Sequence, residues 1–205
     1  VGGSYSVIGT YGTISLNAST GAYTYTLDNT ATAVQALGPT SSETETFSVQ
    51  VTDGTNTTAA QNLSFTITGA NDAPTIGGVA FGSVQEDQNV VDGSLTVEGS
   101  LSITDADTGE AAFQAGTVTG VYGSLDIEAS GAWMYTADNS LEAIQSLGAD
   151  EDLTDTITVL SADGTQQEIT ITIDGSNDTP EVLGAVQASM SEDGLSSRQS
   201  CSCQP

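Results

Sequence analysis

Residues 122–139 read YGSLDIEASGAWMYTADN, and residues 11–29 read YGTISLNASTGAYTYTLDN. In each, apolar side chains alternate with polar ones, break around a glycine, and alternate again. Successive side chains of an extended backbone point to opposite faces, so this period of two predicts strands with one face buried. The two stretches share their pattern with one residue deleted, and the match continues downstream. AVQALG (33–38) answers AIQSLG (143–148), TFSVQVTDGT (46–55) answers TITVLSADGT (156–165), and LSFTITGANDAP (63–74) answers ITITIDGSNDTP (169–180). Asn71 to Asn177 is a step of 106 residues, and QED at 85–87 returns as SED at 191–193 with the same step.

A period of this length is too long for a solenoid turn and suits a β-sandwich of roughly 100 residues. The expected organisation is an incomplete repeat over 1–72 that lacks its first strands, a complete repeat over 73–178, and the start of a third over 179–205. In the complete unit, the runs at 94–104, 116–123, 124–129, 132–137, 155–162 and 167–175 carry the alternation, bounded by Gly, Asp, Asn or Ser. About seven strands in two sheets are predicted. NSLEAIQSLG (139–148) departs from the pattern: Leu141, Ile144 and Leu147 recur every three residues, which predicts a short helical turn capped by Gly148. Val34, Leu37 and Gly38 repeat that feature in the first unit.

Composition agrees with an all-β chain. Of 205 residues, 27 are acidic and one, Arg198, is basic, with no histidine or lysine, for a formal net charge of −26. Nucleic acid and anionic membranes require cationic side chains to neutralise phosphate, so neither is an expected partner. No apolar run approaches the roughly 18 residues of a membrane helix, so no membrane insertion is expected of this segment. The two cysteines, Cys201 and Cys203, are too close for an ordinary disulfide and lie beside Arg198 in a tail, LSSRQSCSCQP, that breaks the repeat pattern. The cysteine-free repeats suit an exported protein, and a chain opening at Val1 inside a repeat suits a fragment of a longer one.

The missing histidine removes the usual general base, and the missing lysine removes an amine nucleophile. No carboxylate pair is set apart from the others as a glycosidase pair would be. The expectation is a non-enzymatic chain. Calcium suits the residue types better, since it takes six to eight oxygens from carboxylates, amide oxygens, backbone carbonyls and water. Three local groups offer them: Asn71 and Asp72, Glu86 and Asp87, and Asp105, Asp107 and Glu110 in TDADTGE. The EF-hand pattern fails on TDADTGE, because Glu110 falls where glycine is required and Gly116 where glutamate is required.

The ordered set NDAP, QED, GSLSITDADTGEAAF, YGSLDIEASGAWMYTADN, AIQSLGADEDLTDTITVLSADGT and ITITIDGSNDTP resembles the VCBS repeat of giant bacterial surface proteins, including RTX-type adhesins. The resemblance covers roughly residues 1–194. It implies tandem Ig-like or cadherin-like β-sandwiches, extracellular or on the cell surface, serving as spacers in adhesion or biofilm formation. By similarity to cadherins it also implies calcium between successive repeats. Asn71 and Asp72 would meet Asp105 and Asp107 at the first joint. Glu86 would serve the far joint with Asn177 and Asp178, and Glu192 a later one. The partners implied are calcium ions and neighbouring repeats of the same chain. The segment departs from cadherins where an Asp-Arg-Glu motif should stand, offering only Glu45 or Asp155.

Plainer readings stand beside these. Asn-Asp before Ala-Pro makes an Asx turn without any ion. Glu110 and Asp150 to Asp152 read as solvated surface, and Asp53-Gly54 and Asp163-Gly164 as hairpin turns. Tyr23, Tyr25, Trp133 and Tyr135 read as core, with extracellular polysaccharide as the partner if they instead face solvent. The competing functions are therefore a carbohydrate-binding module or an accessory domain of a large secreted hydrolase.

Overall fold

The computed structural model describes residues 3–179 together with Glu181–Leu183 and Ser202–Gln204. The N-terminal half contains β1 (Ser4–Ile8), β2 (Gly12–Asn17), β3 (Tyr23–Leu27), the single helical turn α1 (Thr32–Gln35), β4 (Ser42–Val49) and β5 (Gln61–Thr68). The C-terminal half contains β6 (Thr75–Gly78), β7 (Phe81–Gln85), β8 (Ser94–Thr104), β9 (Gly116–Thr119), β10 (Gly123–Ile127), β11 (Ala132–Asp138), α2 (Glu142–Gln145), β12 (Asp152–Leu160) and β13 (Gln166–Asp174). β14 (Glu181–Leu183) pairs antiparallel with β15 (Ser202–Gln204).

In the C-terminal half the order β6-β8-β11-β10-β9 makes one sheet and β12-β13-β7 the other. The all-β sandwich expected from the alternation is present. Leu125, Ile127, Trp133, Tyr135 and Ala137 from one sheet meet Ile157, Val159, Ile169, Ile171 and Ile173 from the other, all buried. That face-to-face burial of branched and aromatic side chains is the main favourable term, because it removes the largest apolar areas from water.

Two details differ from the sequence-based expectation. The unit has eight strands, since the chain enters as β6 in the larger sheet, crosses at residues 79–80 and continues as β7, parallel to β13 in the smaller one. The helical segment is one turn of four residues, capped by Ser146 in place of Gly148.

Trp133, the only tryptophan, packs over Gly99 and donates its indole N–H to the Val79 carbonyl at 2.9 Å, where the chain crosses between sheets. A Cβ on Gly99 would lie 2.3 Å from Trp133 Cζ2. Gly99→Val is therefore expected to destabilise the chain by about 1–3 kcal/mol through overpacking. The urea midpoint together with Trp133 fluorescence checks this, and an unchanged midpoint would contradict it. With Trp133 3% and Tyr135 0% exposed, the pair lies in the core and presents no sugar-stacking face.

The N-terminal half repeats the plan without counterparts of β6, β7 and β8. β1-β2-β3 form one sheet and β4-β5 the other, so among the described residues β3 and β5 have no outer neighbour. Tyr23, at the position of Trp133, is accordingly 50% exposed, and Tyr25 stacks on Phe65 with ring centroids 4.4 Å apart.

Candidate metal centre

Carboxylates gather in three places, and they do different things. The first is interior. Asp155 occupies the inward register of β12, in line with Ile157 and Val159, and is fully buried. Its Oδ1 accepts the Val121 N–H at 2.9 Å, while its Oδ2 accepts the N–H groups of Tyr122 at 3.0 Å and Gly123 at 3.2 Å and the Tyr135 hydroxyl at 2.9 Å. It thus locks the tight turn between β9 and β10. Glu45 in β4 does the same for the first half, accepting Thr10 N–H, Tyr11 N–H at 3.2 Å and the Tyr25 hydroxyl at 2.7 Å.

Burial tends to raise the Glu45 carboxyl, and the hydrogen bonds from Tyr25, Thr10 and Tyr11 outweigh it and leave it below its ordinary value. Burial and then the Glu45 carboxylate push the Tyr25 hydroxyl up to about 12, and burial and Asp155 raise that of Tyr135 further. Both acids have their lone pairs engaged by protein donors. They are structural latches.

The second place is the loop after β8, which lies against the end of the N-terminal half. Thr108 donates its N–H to the Ala36 carbonyl at 3.2 Å, just past α1. Asp107, only 2% exposed, accepts the Asp72 N–H on Oδ2 at 2.8 Å, and Asp105 accepts the Asp107 N–H on Oδ1 at 2.9 Å. Asn71 donates from Nδ2 to the Asp72 carbonyl at 3.0 Å and to Asp163 Oδ2 at 3.3 Å. The loop is stitched to the β12–β13 hairpin by Gln114 N–H to Leu160 O at 2.9 Å and Ala162 N–H to Ala112 O at 2.8 Å. That stitching brings Asp163 to the joint and leaves Glu110 half-buried, so the solvated-surface reading of Glu110 is corrected.

Three carboxylate oxygens in this loop, Asp105 Oδ2, Asp107 Oδ1 and Glu110 Oε2, are buried without a hydrogen-bond partner. Burial first, then the charges of Asp107, Asp105 and Asp163, raise the Glu110 carboxyl above its ordinary value. Asp163 is held down to about 2, chiefly by the Ser161 hydroxyl against the opposing effect of burial.

The third place is the opposite end of the C-terminal half. Glu86 is fully buried; its Oε2 accepts the Ser176 N–H at 3.2 Å, and its Oε1 is buried without a partner. Oxygens of Glu86, Asp87 and Asp178 lie within 4.8 Å of one another, the one such triad among the described residues. Burial first, then the charges of Asp178 and Asp87, raise the Glu86 carboxyl. Asp87 Oδ1 accepts from Asn139 Nδ2 at 2.7 Å and Gln145 Nε2 at 3.2 Å, which lowers its own pKa. The exposed Asn177 donates its side-chain amide to the Asp178 carbonyl at 3.3 Å. Glu192 lies outside the described residues.

Of the residues singled out by sequence, Asp72 and Asp107 are in direct contact, Asp105 supports Asp107, and Glu86 stands with Asp178. Asp87 stands with Glu86, and Glu110 with Asp105 and Asp107, as their local groups in the sequence have it, while Asp163, read as a hairpin-turn residue, joins the first joint unassigned. Burying a carboxylate oxygen without a donor is costly, and a divalent cation satisfies such an atom. All-oxygen donor sets with no nitrogen or sulfur fit a hard cation of the calcium type.

The model of the bacterial cadherin-like domain matches residues 71–175. Among solved structures, the chain is similar to a Ca2+-stabilized adhesin that helps an Antarctic bacterium reach out and bind ice. Identity is 17% and the TM-score 0.29; the match covers 89% of this chain and 42% of that one, so this chain spans under half of that structure. It is also similar to domains 4 and 5 of the S-layer protein SbsC, at 16% identity and a TM-score of 0.29, over 83% of this chain and 92% of that one. No curated protein matches it.

Proposed function

The chain belongs to the bacterial cadherin-like domain family, and from that premise we propose that it is a run of structural spacer repeats in a secreted or surface-anchored bacterial adhesin, with calcium at the joints. The repeats would divide at 1–72, 73–178 and 179–205, in the manner of VCBS repeats of RTX-type adhesins. They would hold a distal binding domain away from the cell in adhesion or biofilm formation.

The observation that carries the proposal is the set of buried, unpartnered carboxylate oxygens at both ends of the C-terminal sandwich. The chain has a net charge of −26 with no lysine or histidine, and among the described residues no basic side chain answers them. Asp72, Asp105, Asp107 and Glu110 would hold an ion at the first joint, with Asn71 and Asp163 beside them. Glu86, Asp87, Asn177 and Asp178 would supply the near side of the second. Calcium would neutralise the clustered charge and tie the 105–110 loop to the joint, so that ion occupancy sets stiffness. Calorimetric titration of the full chain with calcium is expected to show binding that Asp107→Asn and Glu86→Gln each weaken; heats of dilution alone would overturn the proposal.

The two raised carboxyls also give the metal-free protein a specific pH response. Glu86 and Glu110 sit above their ordinary value of 4.5 in the folded state, so the fold takes up these protons before the unfolded chain does. Their unfavourable contribution at neutral pH is relieved as pH falls towards 4.5. The lowered carboxyls act oppositely, but Asp163, at about 2, loses its contribution only well below that window. In chelator, the melting temperature is therefore expected to rise between about pH 7 and pH 5. The rise should be smaller in Glu86→Gln/Glu110→Gln, which separates these sites from the relief of overall charge. A flat or falling profile, or one identical in the variant, would contradict this account.

A further inference from the structure

The two ends of the repeat can be compared inside this one chain. At the end of the N-terminal half, the backbone just past α1 is covered by the 105–110 loop. Ala36 O accepts Thr108 N–H at 3.2 Å, and a Cβ on Gly38 would lie 2.9 Å from Glu110 Oε1 and 3.6 Å from Asp107 Cγ. The glycine of each joint motif sits beneath this surface. A Cβ on Gly69 would lie 2.0 Å from Leu37 O, and one on Gly175 would lie 2.3 Å from Gly148 O. Both ends are therefore built alike, with the joint segment pressed against the turn after the helix.

At the end of the C-terminal half, no described residue covers the corresponding surface in this way. Gln145, Ser146, Leu147, Gly148, Asn177 and Asp178 line a cavity of about 170 Å³. Ser146 O, the counterpart of Ala36 O, accepts no hydrogen bond among the described residues. Among the described residues, a Cβ on Gly148 would meet only the Glu151 side chain, at 3.6 Å. The rim already accommodates a carboxylate, since Gly148 N–H donates to Glu151 Oε2 at 3.0 Å.

We propose that this cavity is a socket for the Asp-x-Asp-x-x-Glu loop of a following repeat, seated on Ser146 O and against Gly148 as residues 105–110 seat on Ala36 O and Gly38. The glycine after the helical turn is kept small by the next repeat, since nothing in its own unit crowds it. The inference rests on the reading of the chain as tandem repeats, and the docking itself is steric and hydrogen-bonded, separable from the ion.

The test extends the full chain by placing a second copy of residues 73–178 directly after Asp178, and compares it with the present chain by amide hydrogen exchange. Exchange at Ser146–Gly148 and Ser176–Asp178 is expected to slow at least tenfold in the extended chain. Gly148→Val should leave the melting temperature of the present chain unchanged and abolish the added protection in the extended one. No added protection, an equal loss of stability in both chains, or protection that survives Gly148→Val would overturn the proposal. The same comparison in chelator separates the two readings. A Gly148 effect without any calcium effect leaves the socket standing and removes the ion. A calcium effect without a Gly148 effect does the reverse.

Discussion

Asp155→Asn is expected to destabilise the protein by about 3 kcal/mol. The carboxylate receives four donors on its two oxygens, one on Oδ1 and three on Oδ2. An amide can offer an oxygen to only one of those sides, and its NH2 group then faces a backbone N–H on the other. Losing hydrogen bonds to a buried charge costs about 1.5–3 kcal/mol each, and a stranded donor adds a similar penalty. Tyr135→Phe removes one of the four and should cost less, about 1.5–3 kcal/mol. Because the hydroxyl and the carboxylate touch, the double variant should cost less than the two singles together. Urea denaturation of the four proteins measures this. A cost for Asp155→Asn below about 1 kcal/mol would show that the latch is not a principal support of the β9–β10 turn.

Calcium is expected to raise the melting temperature, and its effect should be tied to residues that are unfavourable without it. For extracellular sites of roughly millimolar to 0.1 mM affinity, ten millimolar calcium stabilises by about 1.5–3 kcal/mol. That corresponds to roughly 3–10 °C for a chain of this size. Asp107→Asn/Glu110→Gln should reverse the pattern. The Asp72 N–H now donates to a carboxylate oxygen of Asp107, and the amide oxygen introduced by the substitution can accept the same bond, so that contact survives while buried negative charge is removed. The variant is thus expected to melt above the parent in chelator and to gain less from calcium. A variant that melts lower in both conditions would make these acids structural members like Asp155.

Much of the sandwich was legible because a strand with one buried face must alternate. The run at 94–104 coincides with β8, and Leu125, Ile127, Trp133, Tyr135 and the three isoleucines of β13 all lie inside as the pattern requires. β6 and β7 were missed because TIGG and FGSVQ are short and glycine-containing, and because their pairing is decided by which sheet the chain joins. Gly148 suggested a helix cap by its position after the apolar triad, whereas the single turn ends earlier, at Ser146.

The acidic groups were legible in kind and less so in membership. The pairing of Glu86 with Asp178 came from resemblance to a known arrangement, and nothing in local spacing implies it. Glu110 read as surface because its burial depends on a loop stitched to a hairpin some fifty residues later, through Gln114 to Leu160. The Asp155 latch left a signal that could have been read. An acid in the inward register of a strand, in line with Ile157 and Val159, either meets buried donors or prevents the strand from forming.

The proposal that the joints are held by calcium makes the shape of the chain depend on the ion. Small-angle scattering of the full chain, in millimolar calcium and then in chelator, measures that dependence directly. The account predicts an extended particle with a narrow distribution of dimensions in calcium, and a broader distribution in chelator as the joint loosens, with Asp107→Asn/Glu110→Gln responding less. Superimposable curves in the two conditions, with an unchanged melting temperature, would contradict it.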